Sequence, residues 1–217
     1  MKTKYLIILT ILVTVTAGAV WYFAIQDNRS STSENSEGNS ITDSKSQEDS
    51  ADNDPYAELI GDEFDEAYIA GMLAHHEGAV NMAEQAQAAT AREEIRVLAG
   101  NITASQSREM AQMIQWQQEW GYETTNSAGH MSHGGSGADM AGDMVEMQNS
   151  LLGLTGEEFD REFLKQMIVH HEQAVDMSKY ADTNAKHQEI KDLARAVIRD
   201  QASEIAQMRQ WQQEWGY

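Results

Sequence analysis

The sequence predicts an all-α protein, a four-helix bundle made of two duplicated helical hairpins and preceded by an N-terminal transmembrane helix. Three observations carry this. The chain repeats itself without gaps at an offset of 95 positions, so that MLAHHEGAVNM at Met72–Met82 returns as MIVHHEQAVDM at Met167–Met177. Both copies space their apolar residues three and four apart, with neither proline nor strand-like alternation. Ahead of them, Tyr5–Ile25 is an almost uncharged apolar run.

That run, as a helix of about 31 Å, matches a hydrocarbon core of roughly 30 Å. Lys2 and Lys4 precede it and acidic residues follow, which directs the short N-terminus to the cytoplasm and the rest of the chain outside. Ala17-Gly18-Ala19 also fits the cleavage pattern of a signal peptide. An uncleaved anchor over residues 1–25 is the preferred reading, because Val20–Ile25 stays apolar beyond that point. The expected location is a single-pass cell-membrane protein with an extracytoplasmic C-terminal domain.

From 26 to 54 the residues are almost all Ser, Asn, Asp, Glu and Gln. Such a segment buries too little surface to offset its ordering entropy, so it reads as a disordered tether with ends roughly 30 Å apart.

The first repeat occupies residues 55–122 and the second 151–217. Roughly half of the positions between Gly61 and Tyr122 are identical to their counterparts. In each repeat the first helix is expected over about Asp62–Thr90 or Glu157–Asn184, and the second over about Arg92–Trp120 or Lys186–Trp215. Gly121 and Gly216 stop the second helices. One hairpin leaves an apolar stripe uncovered; two packed face to face close a four-helix bundle.

On a helical projection Met72, His75, His76, Ala79, Met82 and Ala83 share one face, as do their copies. Gln106, Glu109, Met110, Met113, Trp116 and Trp120 form one stripe of the second helix. Two adjacent inward histidines, written twice, read as ligands, since each ring has two nitrogens to satisfy in an apolar core. Methionine at such spacing is commonly core filler, and for Met72, Met113, Met167 and Met208 filling and ligation weigh evenly. Glu77 and Glu172 fall on the opposite side. Glu109 and Glu204 lie inward, where each could order an imidazole or form a salt bridge.

A formal net charge of −20 disfavours nucleic acid and anionic lipid surfaces and favours a cation as partner. The absence of cysteine excludes disulfides and thiolate sites. Thioether beside imidazole selects soft monovalent ions, copper(I) and, by the same polarisability, silver(I). The connector at 123–150 adds His130, Met131, His133, Met140, Met144 and Met147 as accessory ligands. Its plain alternative is a glycine-rich linker running into a short amphipathic helix docked on the bundle.

The run Gly156, Glu158, Phe159, Asp160, Phe163, Leu164, Met167, Ile168, His170, His171, Ala174, Val175 and Met177, closed by Glu204, Ile205, Met208 and Trp211, resembles the bacterial family known as domain of unknown function 305. The second repeat follows the pattern throughout; the first departs from it at Ala70-Gly71. The resemblance implies a ferritin-like helical fold and extracytoplasmic copper binding tied to copper resistance. It implies as metal ligands Met72, His75, His76, Met82 and Met113, with their copies Met167, His170, His171, Met177 and Met208.

The expected function is therefore a copper(I) buffer or chaperone, with no enzymatic activity and with a metal-delivery protein as a further partner. A di-iron protein on the same bundle would place a glutamate three residues before each histidine, where Met72 and Met167 stand. A metal-free, membrane-tethered interaction module would account for the duplication and leave the histidines without a role.

Overall fold

The computed structural model describes residues 54–122 and 136–217, with side chains in the second segment from Gly142 onward. The expected membrane span at 5–25, the tether expected at 26–54 up to residue 53, and His130, Met131 and His133 lie outside these residues. Among the described residues no helix is long and apolar enough to cross a membrane.

The described residues are helical, without strands. A short α1 (Pro55–Glu58) leads into the first hairpin, α2 (Asp62–Ala89) and α3 (Glu93–Trp120). The connector ends in α4 (Ser136–Ser150), and the second hairpin follows as α5 (Gly156–Ser178), α6 (Ala181–Asn184) and α7 (Gln188–Trp215). Acidic residues fill the first turns of α2 (Asp62, Glu63, Asp65) and α3 (Glu93, Glu94), facing the positive end of each helix dipole. Gly121 and Gly216 both take φ of 74°, the left-handed conformation that ends a helix and that glycine adopts without a Cβ penalty.

The two copies differ at one helix. The first helix of the second repeat, expected to run unbroken to Asn184, stops at Ser178 and restarts at Ala181. The break lies where the second repeat meets α1, a partner with no counterpart in the first. Lys179 Nζ pairs with Asp54 at 2.9 Å. Asn184 Nδ2 donates to the carbonyls of Tyr56 and Ala57 at 3.1 and 3.2 Å. The Gly61 N–H donates to the Asn184 carbonyl at 2.8 Å.

The hairpins pack through α2 and α5, which run antiparallel. The N-terminal half of α2 (Phe64, Tyr68, Ile69, Met72) joins the C-terminal half of α5 (Ala174, Met177) in one apolar cluster. The C-terminal half of α2 (Ala79, Met82, Ala83, Ala86) joins the N-terminal half of α5 (Phe159, Phe163, Leu164, Met167) in another. Such burial supplies the main driving force for the fold, about 25 cal/mol per Å² of apolar surface.

Helices α3 and α7 are clasped at both ends. Trp120 stacks on His187 with ring centroids 3.7 Å apart, and the Arg92 guanidinium lies 4.0 Å above the Trp215 ring. Arg92 and His187 are equivalent positions of the two repeats, so one clasp is a cation on a ring and the other a stacked imidazole. Two buried aspartates, also equivalent, back the clasps. Asp65 accepts from the backbone N–H groups of Lys186 and His187 and from His187 Nδ1, at 3.1, 2.9 and 2.7 Å. Asp160 accepts from Thr90 Oγ1. Between the clasps a cleft of about 290 Å³ separates the middles of α3 and α7.

Candidate metal centre

Residues spaced 95 apart come together at the centre of the bundle because α2 and α5 cross antiparallel near their midpoints. His75, His76, His170 and His171 are all fully buried there. The His75 and His170 rings lie in contact, 3.7 Å between centroids and tilted by 40°. Within each pair the rings stand farther apart, 6.4 Å for His75 and His76 and 6.1 Å for His170 and His171.

The hydrogen bonds determine which nitrogen of each ring is free. His76 Nε2 lies 2.7 Å from Glu109 Oε2, and His171 Nε2 lies 2.7 Å from Glu204 Oε2. An ionised carboxylate only accepts, so both Nε2 atoms carry a proton, and in the neutral ring Nδ1 is then the nitrogen with the lone pair. His170 Nε2 donates to the His75 carbonyl at 3.0 Å, which frees its Nδ1 in the same way. The Nδ1 atoms of His76, His170 and His171 and both nitrogens of His75 have no partner among the described residues. Unpaired polar atoms in a dry core are costly, and a ligand that accepts their lone pairs removes that cost.

Burial, followed by the neighbouring imidazoles, holds His75 and His170 well below the usual histidine range. Both rings are therefore neutral near pH 7, the form that binds metal.

The candidate methionines are buried and divide symmetrically about the histidine layer. Met72, Met113 and Met177 belong to one apolar cluster and Met82, Met167 and Met208, their repeat equivalents, to the other. Each group of three thus draws on both repeats.

Of the connector candidates, Met144 and Met147 are buried, while the side chain of Met140 lies outside those described. Met144 reaches the histidines: a Cβ added at Gly78 would meet its Sδ at 2.9 Å and His170 Nε2 at 3.3 Å. Gly78 is what lets this thioether approach the layer, since its counterpart in the second repeat is Gln173. Glu77 is exposed, and Glu172 pairs at the surface with Arg209.

Among the described residues no three of His, Asp and Glu are grouped to hold a metal ion. The donor set fits a soft ion: lone pairs fixed by carboxylates or a carbonyl, polarisable sulfur on either side, and exclusion of water. Sequence reasoning did not find the aspartate-backed clasps, although Phe64-Asp65 and Phe159-Asp160 recur at the common offset and could have marked them.

Among curated proteins, none matches the chain. Solved structures do. CopM in the Cu(I)-bound form superposes with a TM-score of 0.58 at 34% identity, covering 70% of this chain and 96% of CopM. CopM in an Ag-bound form gives 0.57 at 34% identity over the same shares, 70% and 96%. A putative secreted DUF305 protein from Streptomyces coelicolor gives 0.58 at 28% identity, with 70% of this chain and 94% of that chain covered. The profile of the family described as domain of unknown function (DUF305) matches residues 19–113 and again residues 65–212, the second match running across both repeats. With the profile spanning most of its length and the twin-histidine helices at its centre, the chain belongs to the DUF305 family.

Proposed function

We propose that this protein binds copper(I), and silver(I) in the same manner, through buried histidine nitrogen and methionine sulfur, and serves as a metal buffer or chaperone in copper tolerance. The observation that carries this reading is the central layer of four buried histidines, with five unpartnered ring nitrogens, between two groups of three buried methionines. Likeness to CopM, a protein with Cu(I)- and Ag-bound forms, supports the same metal class.

In this reading Glu109 and Glu204 orient His76 and His171 from behind, as carboxylates commonly do for metal-binding imidazoles. Met144 offers a thioether from the connector. The N-terminal apolar run anchors the chain, and residues 26–53 hold the bundle away from the membrane on its extracytoplasmic side. The protein is not an enzyme in this account: among the described residues no activated nucleophile accompanies the histidines, and their lone pairs serve the cargo.

Anaerobic titration of the purified protein with copper(I) and silver(I), against iron(II) and zinc(II), tests the proposal. Tight, saturable uptake of the soft ions with weak uptake of the others is expected. Preference for iron(II) or zinc(II) would contradict it.

A further inference from the structure

The four histidines of the layer are fully buried, so an ion reaches them only if part of the protein moves. Behind His76 and His171 stand Glu109 of α3 and Glu204 of α7, two helices clasped at both ends. Beside His170 the cover is α4. A Cβ added at Gly78 would lie 2.9 Å from Met144 Sδ and 3.3 Å from His170 Nε2, so thioether and imidazole are neighbours over a glycine.

Helix α4 is held more lightly than the helices around it. It lies across α2 and α5 and touches them more sparingly than they touch α3, α7 or each other. From Asp143 to Met147 only Met144 and Met147 are buried; Asp143, Val145 and Glu146 are exposed. Gln173 Nε2 donates to Asp143 Oδ2 at 3.3 Å, and Gln173 Oε1 is buried without a partner, so this contact leaves half of the amide unsatisfied. The turn that joins α4 to α5, Leu151–Leu154, has Leu152 exposed and Gly153 at φ 78°. A short glycine-bearing turn at the end of an element is where hinge motion is absorbed.

We propose that α4 is the lid of the soft-metal layer: it swings about the Leu151–Leu154 turn, and Met144 takes up the incoming soft ion and carries it to the histidines as the lid closes. The inference rests on the copper reading above. A soft ion moves most readily between soft donors, and the α3–α7 cleft offers carboxylates, amides and hydroxyl but no thioether. The duplication makes the lid one-sided, because Gln173 occupies in the second repeat the place that Gly78 leaves open in the first.

Two measurements on the full-length protein test the lid. The chain has no cysteine, so Asp143→Cys with Gln173→Cys can be joined in the folded protein by a short cross-linker reactive at both thiols. Stopped-flow uptake of Ag⁺ should slow at least tenfold in the bridged protein, while the same variant with each thiol capped singly takes up Ag⁺ at least as fast as the parent. Met144→Leu, which keeps the packing and removes the sulfur, should slow uptake about tenfold as well. Uptake at the parent's rate in the bridged protein or in Met144→Leu would overturn the proposal and place the entrance elsewhere. Amide hydrogen exchange reads the lid without metal: amides of 144–150 should exchange at least tenfold faster than those in the middles of α2 and α5. Protection of α4 equal to that of α2 would overturn the lid. Fast exchange in α4 together with no Ag⁺ uptake by the parent would contradict the copper proposal and leave the movable cover standing.

Discussion

His75 and His170, 95 residues apart in the chain, meet at the crossing of α2 and α5 with 3.7 Å between ring centroids and a tilt of 40°. Two unprotonated imidazoles tolerate that contact; two imidazolium ions would repel each other in a medium of low dielectric.

The stability of the metal-free protein should accordingly fall as pH drops. Both histidines titrate well below the usual range in the folded state, so the unfolded chain takes up protons that the folded one refuses. Their contribution is complete above about pH 6.5 and is lost below it, at about 1.4 kcal/mol per pH unit for each ring. Thermal melts between pH 7.5 and 5.0 should show this decline, and His75→Gln with His170→Gln should flatten it. A parent as stable at pH 5.5 as at pH 7.5 would contradict the assignment.

Glu109→Ala with Glu204→Ala removes the acceptors that fix the protonated nitrogen of His76 and His171. The bundle should persist, since both carboxylates are partly exposed. Silver(I) affinity should fall about 10- to 100-fold, the usual effect of removing an outer hydrogen-bond partner of a ligand. An affinity within twofold of the parent would mean that the pairs do not orient the rings.

Gly71 and Tyr56 form a close contact that tests how α1 docks. A Cβ at Gly71 would lie 2.2 Å from the Tyr56 hydroxyl and 3.0 Å from Met177 Cε. Gly71→Ala should therefore cost about 1–3 kcal/mol in denaturant unfolding, the range for overpacking. The Tyr56 hydroxyl is buried without a partner, so Tyr56→Phe should be neutral or stabilising. In the Tyr56→Phe background the alanine should cost less; strictly additive effects would place the clash elsewhere.

Much of this architecture could be read from the chain because periodicity and duplication act at every position. Glycines at 121 and 216 end their helices as expected, and the inward face given to His75 and His76 is the one the structure buries. The pairing of rings was not readable. A helical projection places residues on a face but does not say which residue of the other repeat meets them, and that depends on the antiparallel crossing of α2 and α5. The interruption at Lys179 escaped for a similar reason, since it accompanies contacts with Asp54 and Tyr56, more than a hundred residues away. Helical periodicity alone does not set Asp65 and Asp160 apart from surface acids. Their burial and their bonds to His187 and Thr90 arise only when both hairpins are in place.

The central claim is that the methionines beside the histidines bind metal and do more than fill the core. Leucine matches methionine in volume and helix propensity, so Met72, Met82, Met167 and Met177 changed together to leucine should repack at under about 1.5 kcal/mol each. The most direct measurement is anaerobic competition titration of copper(I) on this quadruple variant and its parent, with helicity and melting followed alongside. The account predicts a folded, cooperatively melting protein that has lost much of its copper(I) affinity. Copper(I) binding as tight as the parent's would contradict it, leaving the methionines as core and the four histidines as a nitrogen site open to divalent metals.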